Sequence, residues 1–171
     1  VYIDNKTGII NYEYLFKGND GKTKIDVSKI NYRINLSTLK FIVSELTIQN
    51  LINLNINNIK DSSEGLPYLI TTLKSMISLN TLDISHCSID DTVATALAVE
   101  LESMISLTKL KMLNNNIGLT GAKALVNALS GVKGNKNLIT LDIRANNIED
   151  TEQSELVELV EQNKEKIKVL L

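Results

Sequence analysis

The stretch LITLDIRANNIED, Leu138 to Asp150, decides the reading of this chain, because its cadence occurs twice more. LNTLDISHCSIDD (Leu79–Asp91) and LTKLKMLNNNIGL (Leu107–Leu119) place Leu, Leu, Ile or Met, then Asn or Cys, then Ile at the same offsets. Written as LxxLxLxxNxL, the pattern takes Leu79, Leu82, Ile84, Cys87 and Ile89 in one unit. It takes Leu107, Leu110, Met112, Asn115 and Ile117 in the next, and Leu138, Leu141, Ile143, Asn146 and Ile148 in the last. An earlier unit is read with Ile52, Leu54, Asn57 and Ile59, Gln49 standing at the first Leu position. The Asn/Cys positions 57, 87, 115 and 146 then step by 30, 28 and 31 residues. A degenerate copy is read at Ile25, Val27, Ile30 and Tyr32, 27 residues before Ile52, Leu54, Asn57 and Ile59.

Each unit changes period halfway. The xLxLx part alternates apolar and polar, as a short strand does. Capping signals follow at Asp91-Thr92, Thr120 and Asp150-Thr151. Helical faces come next: Val93, Ala96, Leu97 and Leu101; then Ala122, Leu125, Val126 and Leu129; then Leu156, Leu159 and Val160. In the first unit Pro67 falls in the first helical turn, where its missing N–H costs little. A strand–turn–helix unit cannot bury its own apolar stripe, so such units stack.

Residues 49–171 resemble the ribonuclease-inhibitor-like class of leucine-rich repeats, and NNNIGLTGAKALVNAL (Asn114–Leu129) is close to that class's wording. Similar repeats occur in tropomodulins, in an activator of the Ran GTPase and in immune receptors. The resemblance implies an α/β leucine-rich-repeat solenoid, with a curved parallel sheet on the concave side and helices on the convex side. It also implies that Cys87 is a tolerated replacement for the repeat Asn. Four repeats with a C-terminal cap are expected at 49–171, KIKVLL (Lys166–Leu171) being a candidate last strand of undecided register. Residues 1–48 are expected to form an N-terminal cap, with the degenerate copy as a candidate repeat inside it: every aromatic residue lies at or before Tyr68. Within it, YEYLF and KGNDGKTKIDV read as a hairpin turning at Asn19-Asp20-Gly21, and Leu36–Leu46 as a helix.

Bulk composition is that of a soluble domain: 171 residues, 43% hydrophobic, 22% charged, net charge −2. The charge disfavours nucleic acid and anionic lipid as partners. No apolar run approaches the ~20 residues of a membrane span. One cysteine excludes an intrachain disulfide and fits a reducing, cytoplasmic compartment. The chain begins at Val1 rather than Met, so an excerpt of a longer reading frame is expected.

Chemistry-bearing motifs are sparse. GNDGKT (Gly18–Thr23) lacks the Gly that a phosphate loop needs five positions before Gly21, where Phe16 stands. His86 and Cys87 are adjacent on a strand path and so point apart, which separates a base from a nucleophile. Zinc wants three or four ligands and no second His/Cys cluster exists. No catalytic, cofactor-binding or metal-binding residue is therefore predicted, and no enzyme. The acidic run over 151–165 reads as a solvated terminal helix.

The x positions of the strands point to the concave side. They are read as Leu51, Asn53, Asn55 and Ile56; Thr81, Asp83, Ser85 and His86; Lys109, Lys111, Leu113 and Asn114; and Thr140, Asp142, Arg144 and Ala145. Apolar residues among mixed charges suit a protein partner. The predicted partner-binding set is Asn53, Asn55, Asp83, Ser85, His86, Lys109, Lys111, Leu113, Asn114, Asp142 and Arg144. The expected function is a protein-interaction module, a monomer when unbound. The alternatives are a GTPase activator, with Arg144 near a phosphoryl transition state, or part of a receptor or ligase whose catalytic domain lies elsewhere. Abundant Asn, Ile and Lys with short repeats also resemble leucine-rich-repeat effectors of intracellular bacteria of the Legionella type. That likeness implies secretion into a host cell and inhibition or recruitment of a target protein.

Overall fold

The computed structural model describes residues 51–57, 65–129, 135–162 and 167–171, and the backbone of three further strands at 2–3, 10–11 and 24–26. Strands β1 (Tyr2–Ile3) and β2 (Ile10–Asn11) form a short antiparallel pair. The other described strands belong to one six-stranded parallel sheet in chain order: β3 (Lys24–Asp26), β4 (Asn53–Asn55), β5 (Thr81–Asp83), β6 (Lys109–Lys111), β7 (Thr140–Asp142) and β8 (Lys168–Leu170). Helices α1 (Gly65–Leu73), α2 (Asp91–Leu101), α3 (Leu119–Asn127) and α4 (Asp150–Gln162) follow β4 to β7 in turn. Strictly sequential pairing, with a helix between neighbours from β4 onward, is the α/β solenoid, sheet on the concave side and helices on the convex side.

The register fixes the repeat. Leu54, Leu82, Leu110, Leu141 and Val169 lie side by side, and Ile25 precedes Leu54 in the same row. This corrects the first unit by two residues. Leu51, Leu54 and Ile56 occupy the LxxLxL positions and are at most 1% exposed, whereas Ile52 is 41% exposed. The misreading followed Asn57, which imitates the repeat Asn but is equivalent to Ser85 by register. A slip of two leaves side-chain alternation intact. Asn53 and Asn55 therefore stay on the concave side, while Leu51 and Ile56 move from the expected concave face into the core. The degenerate copy shifts with it: Ile25 pairs with Leu54, not Ile52. β3 runs parallel to β4. The Asn19-Asp20-Gly21 turn and the 36–46 helix lie outside the described residues.

The core between sheet and helices is formed by Leu, Ile and Met, with Leu79, Leu82, Leu107, Leu110, Met112 and Leu141 fully buried. In α2 the buried face is Ala94, Leu97, Ala98 and Leu101. Ala96, expected there, is exposed, because it lies two residues from both Ala94 and Ala98 and so on the opposite side of the helix from the buried stripe. Its N-cap is Asp90, whose Oδ1 accepts the Val93 N–H at 3.0 Å.

Asp91 has a different task. Its Oδ1 accepts the N–H groups of Gly118 (2.7 Å) and Gly121 (2.9 Å), so it caps the next repeat's helix. Gly118 is the N-cap of α3 and has no side chain to do so; Thr120, the expected cap, lies inside the helix. An added Cβ on Gly121 would stand 2.6 Å from Asp91 Oδ1 and 3.0 Å from both Ala94 Cβ and Ile117 Cγ2. Glycine there admits the carboxylate to the orphan N–H groups of the helix end.

Candidate partner-binding face

After each strand the chain turns through a ladder of hydrogen bonds between repeats. Asn115 Oδ1 accepts the N–H of Cys87 (2.9 Å) and Ile89 (3.1 Å). Its Nδ2 donates to the carbonyls of Ile84 (3.1 Å) and Met112 (2.8 Å). Asn146 repeats the motif one unit on, accepting from Ile117 N (3.0 Å) and donating to Met112 O (3.0 Å) and Ile143 O (2.7 Å). Cys87 stands in the same place, fully buried, with Sγ 3.4 Å from Ile56 O and 3.2 Å from Ser85 O. His86, its neighbour, is exposed. His86, Asn114 and Ala145 hold equivalent turn positions at φ of 57°, 52° and 53°, a left-handed conformation that Asn tolerates better than Ala.

These turns and strands set four rows across the concave side. The strand-start row is Lys24, Asn53, Thr81, Lys109, Thr140 and Lys168. The strand-end row is Asp26, Asn55, Asp83, Lys111, Asp142 and Leu170. Asn57, Ser85, Leu113 and Arg144 follow, then His86, Asn114 and Ala145. The predicted residues thus share one surface, but not one role.

Asp83, Ser85 and Asp142 are 9%, 2% and 6% exposed. Their side chains serve the turns. Asp83 Oδ1 accepts the Ser85 N–H at 3.2 Å, Asn55 Oδ1 the Asn57 N–H at 3.0 Å, and Ser85 Oγ the Leu113 N–H at 3.2 Å. Both carboxylates are also matched by cations. Lys111 Nζ lies 3.5 Å from Asp83 Oδ2. Arg144 grips Asp142 through Nε (2.9 Å) and Nη2 (2.8 Å). The hydrogen bonds from Arg144, helped by its charge and that of Lys111, hold the Asp142 carboxyl below the usual carboxylate range despite its burial; Asp142 in turn raises Arg144.

Lys109, His86, Asn114 and Arg144 are solvent-exposed, and Asn53, Asn55, Lys111 and Leu113 half-buried. Asn114 Nδ2 lies 2.7 Å from His86 Nδ1; with the amide donating, the ring proton sits on Nε2. Sequence reasoning missed Lys168 and Leu170. The run Ile167–Leu171 has apolar residues on both alternations, so its register could not be read, and only the pairing Leu141↔Val169 places those two on the concave side. Asn135 was missed too: it is 3% exposed and donates to the carbonyls of Leu101 (3.2 Å) and Met104 (2.8 Å), tying the loop before β7 to the preceding repeat. Among the described residues no three His, Cys, Asp or Glu side chains converge as a metal site requires. Nor is any described helix long and apolar enough to cross a membrane.

No protein-family model and no curated protein sequence matches the chain. Among solved structures it is similar to leiomodin-1 actin-binding site 2, at 23% identity and a TM-score of 0.60, over 79% of this chain and 75% of that one. An internalin from Listeria monocytogenes matches 81% of this chain and 37% of its own, at 18% identity and a TM-score of 0.44. A leucine-rich-repeat protein of Leptospira interrogans matches 72% and 38%, at 16% identity and a TM-score of 0.36. The register, the Asn ladder and the likeness to the leiomodin-1 fragment agree on one architecture: the chain folds as a leucine-rich-repeat solenoid.

Proposed function

We propose that this chain is a protein-interaction module that seats a globular protein on its concave face and performs no chemistry of its own. One observation carries the reading. Parallel sheets are ordinarily covered on both faces, yet here Lys109, His86, Asn114 and Arg144 stand in solvent on the side opposite the helices, with Leu113 half-buried among them. A half-buried Leu within a polar surround is the form of a desolvated anchor. The leiomodin-1 fragment of like fold is, by its name, an actin-binding site, which supports use of this scaffold for protein binding. The GTPase-activator alternative is less well supported, since Nε and Nη2 of its one candidate finger, Arg144, are engaged by Asp142.

The same proposal covers its setting. The subclass is ribonuclease-inhibitor-like, supported by a helix after each of β4 to β7. Residues 1–48 are an N-terminal cap with one degenerate repeat, supported by the parallel pairing of β3 with β4. The unbound chain is a cytoplasmic monomer or, on the sequence resemblance to Legionella-type effectors, an effector secreted into a host cell that inhibits or recruits its target. A translocation-reporter fusion that never reaches host cytoplasm overturns the effector part alone. The binding reading is tested by affinity capture followed by calorimetry with the purified partner. Leu113→Asp abolishes or strongly weakens binding, while Val99→Asp on the outer face of α2, where Val99 is 69% exposed, leaves it intact. The reverse pattern moves the interface to the helices and sinks the proposal.

A further inference from the structure

The two strand rows of the concave face differ in charge. Among the described side chains, the acids of the strand-end row are already matched: Asp83 with Lys111 of the same row, and Asp142 with Arg144, two residues further on. Over β4 to β8, where side chains are described, the strand-start row reads Asn53, Thr81, Lys109, Thr140, Lys168, two lysines and no carboxylate. Lys109 and Lys168 are exposed, and among the described residues neither has an ion-pair partner. They flank Thr140, two strands apart, about 10 Å at the usual strand spacing. Beside them on the same face are the half-buried side chains of Leu113 and Leu170.

Resting on the protein-binding reading above, we propose that the concave face takes an acidic, apolar-punctuated segment of its partner, laid across strands β6 to β8. Carboxylates of that segment meet Lys109 and Lys168, and its apolar residues meet Leu113 and Leu170. Cations without an ion-pair partner among the described residues, on a face whose described carboxylates are already paired, leave a positive field, which steers and selects a negative partner. A polyanion fits worse. Nucleic-acid grooves add aromatic stacking platforms and many cations, whereas no aromatic residue follows Tyr68 and the whole chain is net −2.

The test uses the full chain and three labelled probes read by fluorescence anisotropy: a peptide of alternating Glu and Leu, its Lys–Leu counterpart, and an oligothymidylate. The Glu–Leu peptide binds the wild type and weakens as salt rises. In the double variant Lys109→Glu, Lys168→Glu its affinity falls about tenfold or more, as expected for two reversed exposed charges, and the Lys–Leu peptide gains. An unchanged melting point shows the variant folded. Three results overturn the inference: no binding of the Glu–Leu peptide, equal binding by the double variant, or tighter binding of oligothymidylate at the same salt. The captured partner separates the two claims. If its affinity falls with Leu113→Asp but not with the lysine reversal, the acidic-segment inference fails and protein binding stands. If neither change moves it, the concave-face reading itself fails.

Discussion

Asn115→Ala probes the joint on which repeat stacking depends. The side chain is 5% exposed and makes four hydrogen bonds to backbone groups of two successive repeats. Truncation leaves the Met112 carbonyl with the Asn146 amide at 3.0 Å. It removes the side-chain partner of the Cys87 N–H, the Ile89 N–H and the Ile84 carbonyl. A buried group left unpaired costs ~1–3 kcal/mol, and one water entering the polar hole offsets part of that. The expected loss is about 3–5 kcal/mol. Asn146→Ala is the internal standard. That side chain is half-buried and accepts from a single N–H, so water can replace it and the expected loss is about 1–2 kcal/mol. Asn115→Cys falls between wild type and Ala, because a thiol keeps a donor toward the neighbouring carbonyl, as Cys87 does 3.4 Å from Ile56 O, but supplies no oxygen for the two N–H groups. Urea midpoints at constant m value give all three. If Asn115→Ala and Asn146→Ala lose the same stability, the ladder is not what holds the repeats.

Gly121→Ala destabilises by about 1–3 kcal/mol in spite of a helix-propensity gain of about 1 kcal/mol, since the new methyl meets Asp91 Oδ1 at 2.6 Å; a more stable Gly121→Ala protein by thermal melting refutes the cap. Arg144→Ala loses stability at neutral pH, and the difference from wild type closes in acid. The sign follows from the lowered Asp142 pKa: its contribution is complete above the unfolded carboxyl pKa and is lost as pH falls through the folded one. A gap that stays constant down to low pH on denaturation curves contradicts it. Leu113→Asp costs about 1 kcal/mol of stability because Leu113 is half-buried, and a loss of several kcal/mol would make it a core residue. Lys123→Glu lowers the melting point where Val99→Asp does not, because Lys123 pairs with Glu155 on the convex side and reversal sets two acids together.

Legibility followed the range of each interaction. Strand alternation and the helical period are local, and they placed Leu82, Leu110 and Leu141 in one row without aid. The first unit slipped because one local letter, Asn57, outweighed the two hydrophobic residues Leu51 and Ile56 that flank Leu54 and are buried with it. The caps were misread for another reason. Asp91 serves glycines 27 and 30 residues ahead, and Asn135 serves carbonyls 34 and 31 residues behind. Such partners belong to the neighbouring repeat, and only stacking brings them together. The concave set was legible as a surface, because alternation decides which way a side chain points. Its division of labour was not: nothing in the sequence says that Asp142 is sheltered under Arg144 while Lys109 has no ion-pair partner among the described residues.

That division separates scaffold from recognition. Asp83, Asp142 and Ser85 accept N–H groups of the turns, so their side chains are committed to the scaffold. The strand-start row makes no such demand. Thr81 and Thr140 occupy it on β5 and β7, bracketing Lys109 on β6, and the sheet pairs through them in unbroken register. Threonine is also the better strand residue, and lysine the poorer one. Folding alone therefore favours Thr at 109 and 168. Lys109→Thr and Lys168→Thr should leave stability unchanged or slightly raised while weakening a partner, whereas changes at Asn115 or Asp91 should do the opposite.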